Sequence, residues 1–132
     1  FNMLALLSIG PFVENFLGEK KFVPFYLLCG IGSALLHMAL TNSVNVPMVG
    51  ASGAIFGILI FFSIIHPNEK LYVFLIPIGI KAKYLISFLI VLEVCLGLFS
   101  TSDGVGHWAH VGGALTGGLL YLLNKKYFSN IY

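Results

Sequence analysis

Apolar residues come in long runs divided by short polar breaks, not at the spacing of amphipathic elements. Residues 2–17 are apolar up to Glu14, with Gly10-Pro11 near the end. That run is short for a hydrocarbon layer of about 30 Å. It is expected to continue a helix begun upstream of Phe1. A second run covers residues 22–41, and its Gly30, Gly32, Ser33 and Ala34 give a small-residue face for close helix contact. Residues 42–51 form a polar loop, and a third run extends from Ser52 to about His66, where His-Pro-Asn-Glu-Lys stops it. Residues 71–80, interrupted by Pro77 and Gly79, suit an interfacial or re-entrant stretch better than a span. The fourth run covers Tyr84 to Phe99, and the fifth goes from about His107 to Leu123 and stops at Asn124-Lys125-Lys126. Residues 18–21 read as a solvated loop. The pattern predicts an all-α, polytopic transmembrane helical bundle with about five spans.

Composition sharpens this. Of 132 residues, 58% are hydrophobic and 9% charged, with mean hydropathy +0.97. A soluble domain carries about 25% charged residues, so this chain cannot cover a water-facing surface. It is an integral membrane protein of one domain, with the lipid bilayer as a partner. No phosphate-binding loop, nucleic-acid patch or signal peptide can be read in these residues. Cys29 and Cys95 fall inside apolar runs and read as buried, inert thiols.

Charge then sets topology. All 7 basic residues are lysines: Lys20 and Lys21, then Lys70, Lys81 and Lys83, then Lys125 and Lys126. They lie between runs one and two, between three and four, and after five. The other two loops carry none, which places the lysine side in the cytoplasm. Runs three and five therefore enter from the outer face.

That topology brings chemistry together. Ser52 to His66 makes roughly 22 Å of helix at about 1.5 Å per residue, too little for about 30 Å of hydrocarbon. The preceding loop must dip inward, which is tolerated only where protein buries it or water reaches it. A recessed cavity open to the outside, with Ser52 at its floor, follows. His110 lies about one turn inside the fifth run, at a similar depth. Gly53 and Gly57 on one helix, and Ala109, Gly113 and Gly117 on the other, allow close approach. A hydroxyl and an imidazole within reach form a nucleophile and base.

At these residues the sequence resembles the rhomboid intramembrane serine proteases. Gly50-Ala51-Ser52-Gly53 matches the family's G-x-S-G motif, and Ala109-His110-Val111-Gly112-Gly113 its A-H-x-G-G motif. The resemblance extends over most of the chain, including Ile76-Pro77-Ile78-Gly79-Ile80-Lys81-Ala82-Lys83-Tyr84, a connection common in bacterial members. It implies a serine endopeptidase that cleaves transmembrane segments with a Ser52 nucleophile and His110 as general base and acid. No cofactor is implied. Asn2 falls at the family's oxyanion asparagine, Glu14 at a family glutamate, and the amides of Ala51 and Ser52 are the other oxyanion donors. Phe56 stands where an aromatic ring packs on the catalytic histidine. The resemblance also implies substrate proteins that reach the site laterally between helices, and a multi-pass location in a bacterial cytoplasmic membrane. Residues 1–132 then form a single rhomboid-like domain whose first span, and the start of whose second, precede Phe1.

The remaining polar residues read more simply. His107 and His110 are three apart, but no neighbouring Asp or Glu and no His-Glu-x-x-His accompany them, so no metal site is expected. His107 reads as an interfacial residue at the cavity mouth, His37 as a hydrogen-bonding residue of the bundle, and Trp108 as an interface anchor. Asp103 lies in the outer loop and reads as solvated, leaving a Ser–His dyad without a third carboxylate. Glu93, inside the fourth run, reads as a protonated or hydrogen-bonded structural carboxyl, with a part in substrate entry as the alternative. Two rivals fit the same residues: a non-catalytic rhomboid-like protein that binds transmembrane helices, and a small transporter or channel subunit with a wet cavity. Covalent labelling of Ser52 separates them from the protease.

Overall fold

The computed structural model describes residues 1–41, 51–73, 76–99 and 105–128. Five helices account for most of them: α1 (Asn2–Leu17), α2 (Glu19–Leu40), α3 (Ser52–Ile65), α4 (Ala82–Phe99) and α5 (His107–Phe128). Uninterrupted apolar sequence folds this way because helices satisfy every backbone group internally, as lipid demands. Exposed side chains on α1, α2 and α4 include Leu7, Val23, Leu27, Phe88 and Val91, a surface suited to lipid. By length and composition, α2 and α4 qualify as membrane-crossing helices, while α1 and α3 are apolar but shorter.

α5 packs against both α2 and α3 and forms the centre of the bundle. Bilayer lipid is as apolar as leucine, so helices associate there through shape and hydrogen bonding. Here that shape is glycine against backbone. A β-carbon on Gly113 would overlap the carbonyl group of Gly53, and one on Gly117 would overlap that of Gly57. The two glycine faces expected from sequence are thus in register with each other. The small face of α2 closes the third side, with Ser33 against Gly53 and Gly32 against Thr116. Further along α3, fully buried Phe61 meets Phe16 of α1 at 5.6 Å, Phe25 of α2 at 5.0 Å and Tyr121 of α5 at 5.4 Å, all edge-on.

α4 is the loosest helix. It buries only Ala82 and Ile86, touches α3 and α5, and among the described residues shares no interface with α1. A cavity of about 720 Å³ lies between them, lined by Leu4, Phe12, Phe62, Tyr72 and Ile86.

Several boundaries differ from the sequence expectation. Glu19, Lys20 and Lys21 start α2 instead of forming a loop, as Glu19 in the first turn favours the positive helix end. Helix α5 continues past Lys125 and Lys126 to Phe128, as lysine is a good helix former. The stretch over 71–80 includes part of an antiparallel hairpin, β1 (Lys70–Tyr72) with β2 (Gly79–Lys81), in which Tyr72 pairs with Gly79. Its backbone groups find partners across the pair, which an apolar segment too short to span requires. Cys29 is buried, but Cys95 is exposed, since α4 presents that face outward.

Gly113→Ala is expected to destabilise the bundle by about 1–3 kcal/mol through overpacking. Gly118→Ala, where a β-carbon meets nothing within 4 Å, should leave it unchanged. Denaturant midpoints of the two variants in detergent check this, and equal midpoints would contradict the glycine contact.

Candidate active site

Ser52 is the first residue of α3, after Ala51 at φ −74° and ψ 0°. Its side chain does not cap its own helix. Instead, His110 Nε2 lies 3.0 Å from Ser52 Oγ. That hydrogen bond joins residues 58 apart in sequence, and the Gly53–Gly113 contact lets the two helices approach closely enough to make it. Phe56, one turn on, stacks on the His110 ring with centroids 4.5 Å apart and planes 11° apart. The imidazole is therefore held on its face by a phenyl ring and at one edge by a hydroxyl.

The first backbone bond of α3 runs from Ile55 N–H to Ala51 C=O at 3.0 Å. The amides of Ser52, Gly53 and Ala54 precede it and lack intrahelical acceptors, as at any helix start. Beside the Ser52 hydroxyl, they make the positive end of the helix dipole available to an anion. Asn2 is half-buried at the start of α1, and among the described residues no hydrogen bond ties it to Ser52 or His110. Gly50 and Asp103 lie outside the described residues.

The opposite edge of His110 holds what sequence reasoning missed. Glu93 Oε2 lies 2.9 Å from His110 Nδ1, and 2.6 Å from His107 Nδ1. The carboxylate side chain is 14% exposed, and the His110 and His107 side chains are 13% and 8% exposed. Only the His107 contact has hydrogen-bond alignment. His110 Nδ1 is buried without an aligned partner, although the carboxylate oxygen is close. A carboxylate does therefore stand behind the Ser52–His110 pair, contrary to the dyad expectation. Its position follows from α4 packing. Trp108 lies across Gly97 of α4, where a β-carbon would come within 2.9 Å of the indole. Glu93 is one turn before Gly97 on the same face, so that notch turns the carboxylate toward α5. Trp108 is thus an interhelical contact rather than only an interface anchor, and His107 is a buried partner rather than a residue at a wet mouth.

His37 is buried near Gly106 and lies 3.5 Å from Thr41 Oγ1, the outer limit of a hydrogen bond.

With this geometry in view, comparison with known proteins is decisive. The sequence profile described as Rhomboid domain matches residues 1–126. The chain belongs to the rhomboid family. It is 34% identical over 140 residues to "Rhomboid protease AarA" of Providencia stuartii, which covers 91% of this chain and 48% of the relative. To "Rhomboid protein 1, mitochondrial" of Saccharomyces cerevisiae it is 33% identical over 122 residues, covering 88% of this chain and 34% of the relative. To "Rhomboid protease GluP" of Bacillus subtilis it is 31% identical over 118 residues, covering 89% of this chain and 21% of the relative. This rhomboid chain thus spans between about a fifth and a half of these curated relatives' lengths. No solved structure matches the chain.

The contacts on His110 assign its tautomer: with Glu93 beside Nδ1, the proton is expected there and Nε2 faces Ser52 as acceptor. Nitrogen-15 shifts of labelled His110 should show a protonated Nδ1 and a bare Nε2. Glu93→Gln should increase the opposite tautomer. A bare Nδ1 in the unsubstituted protein would contradict the assignment.

Proposed function

We propose that this rhomboid chain carries the catalytic residues of an intramembrane serine endopeptidase, with Ser52 as nucleophile and His110 as general base and acid. The observation that carries the reading is the 3.0 Å contact of His110 Nε2 with Ser52 Oγ. The names of relatives from Providencia stuartii and Bacillus subtilis, both rhomboid proteases, support the same chemistry.

His110 Nε2 takes the proton from Ser52 as its oxygen attacks the scissile carbonyl. Negative charge then develops on the carbonyl oxygen near the α3 amides, where preorganised donors stabilise it. The family resemblance implies the amides of Ser52 and of Ala51, the residue before α3, as donors, with Asn2 of α1 as a third group. His110 returns the proton to the departing amine, the peptide bond breaks, and a Ser52 acyl-enzyme remains. Water hydrolyses that ester with His110 again as base. Glu93 does not touch substrate. It is a positioning residue that favours the proton on Nδ1 and the charge that forms on the ring.

The substrate class is a transmembrane segment. The lack of an α1–α4 interface among the described residues supports lateral access for such a helix. The lysine asymmetry supports an opening of the Ser52 end toward the outer face. Relatives from bacteria, plants and mitochondria share the family, so the reading extends to a membrane without choosing which.

In proteoliposomes with a single-span substrate, Ser52→Ala and His110→Ala should each abolish cleavage. Glu93→Gln should lower kcat at least about tenfold with KM unchanged. That loss should stay below the about 10⁴ that follows when a fully aligned triad loses its carboxylate, because the Glu93–His110 contact is misaligned. Cleavage that survives Ser52→Ala would overturn the reading, and an unchanged kcat in Glu93→Gln would remove the positioning role.

A further inference from the structure

Glu93, His107 and His110 offer one carboxylate oxygen and two imidazole nitrogens, all within 4.8 Å of one another. Two imidazoles and a carboxylate form a donor set for Zn²⁺ and similar transition metals, whereas Ca²⁺ and Mg²⁺ prefer oxygen. The sequence hid the set because the acid is on α4, 14 residues before the first histidine. His107 and His110, three apart on α5, leave the same helix face. The notch of Gly97 against Trp108 holds α4 opposite that face.

Two features go beyond a hydrogen-bonded cluster. Both Nδ1 atoms converge on the same oxygen, Oε2, at 2.6 and 2.9 Å. One of them, on His110, is buried and lacks an aligned hydrogen-bond partner. A cation between the three would take a lone pair from each and leave no buried nitrogen unmatched. Ligand atoms around tetrahedral Zn²⁺ lie about 3.3 Å apart when its bonds are about 2.0–2.1 Å. To reach that spacing the carboxylate oxygen must retreat from both nitrogens, which it now approaches at 2.6 and 2.9 Å, and the two imidazoles must turn toward each other, all within a set already inside 4.8 Å.

We propose that Glu93, His107 and His110 form an inhibitory site for a zinc-like divalent cation, which silences the Ser52–His110 pair. The proposal rests on the protease reading. Coordination uses the Nδ1 lone pair of His110, so the ring's proton moves through solvent to Nε2. His107 makes the same exchange, and Glu93 binds as the carboxylate. No net proton is released. Nε2 then donates to Ser52 Oγ instead of accepting its proton, and the nucleophile is not activated.

Two arms separate the metal site from the protease. In the first, Co²⁺ is titrated into reconstituted Ser52→Ala protein, which has no nucleophile to lose. One equivalent should bind with tetrahedral visible absorption, and the absorption should vanish when His107→Asn is added. Asparagine keeps a donor toward Glu93 but is a poor metal ligand, and a matching helical circular dichroism spectrum verifies the fold. In the second, Zn²⁺ should reduce cleavage by the unsubstituted protein at least tenfold, EDTA should restore it, and equal Mg²⁺ should do nothing. Absence of stoichiometric Co²⁺ absorption, its persistence in His107→Asn, or cleavage unchanged or raised by Zn²⁺ would each overturn the site. Metal-free protein that cuts nothing would overturn the protease reading alone, because the Co²⁺ arm still decides the site. Zinc-dependent cleavage that survives Ser52→Ala would overturn both.

Discussion

The close seat of α5 on α3 is the constraint from which the site follows. Apolar side chains gain little from leaving lipid, so a bundle needs backbone-to-backbone contact to be specific. Glycine at 53, 57, 113 and 117 provides it: a β-carbon on Gly113 or Gly117 would overlap a carbonyl group of α3, and one on Gly53 or Gly57 would overlap Ser33 or Cys29 of α2. Once the helices share that register, Ser52 and His110 have little choice of distance. Phe56 then fixes the remaining freedom, the plane of the imidazole. The Ser52–His110 geometry thus follows from helix packing.

Glu93 introduces a second constraint of a different kind. An ionisable side chain in a membrane helix is costly and persists where it has partners. Here both histidines of α5 approach one oxygen, so the carboxylate is compensated by groups that belong to the site. That arrangement ties the loosest helix to the most central one. The same α4 borders the cavity beside α1. Any shift of α4 would therefore also move the group behind His110.

Much of this was legible in the sequence. The Ser52–His110 pair followed from charge asymmetry, helix length and glycines at four-residue spacing, all of them local signals. Helix cores were legible for the same reason, because apolar runs have few alternatives in lipid. Glu93 was not. Its contact depends on the rotation of α4 about its own axis, which a nearly uniform apolar helix does not encode. The rotation is set by one notch, Gly97 under Trp108, and an interface reading of that tryptophan concealed it. The β1–β2 hairpin was hidden as well, since ten apolar residues with Pro77 and Gly79 read equally well as a re-entrant segment. Asn2 carries its role from family resemblance, and no described hydrogen bond adds to it.

The most direct test of the central claim is tandem mass spectrometry of the membrane-reconstituted protein after reaction with a fluorophosphonate. An activated serine reacts with such a reagent through its oxygen, and an ordinary helix-start serine does not. The account predicts a single phosphonyl adduct on the peptide that contains Ser52, lost when His110 is replaced by alanine. An unmodified Ser52, or an adduct that persists without His110, would contradict it.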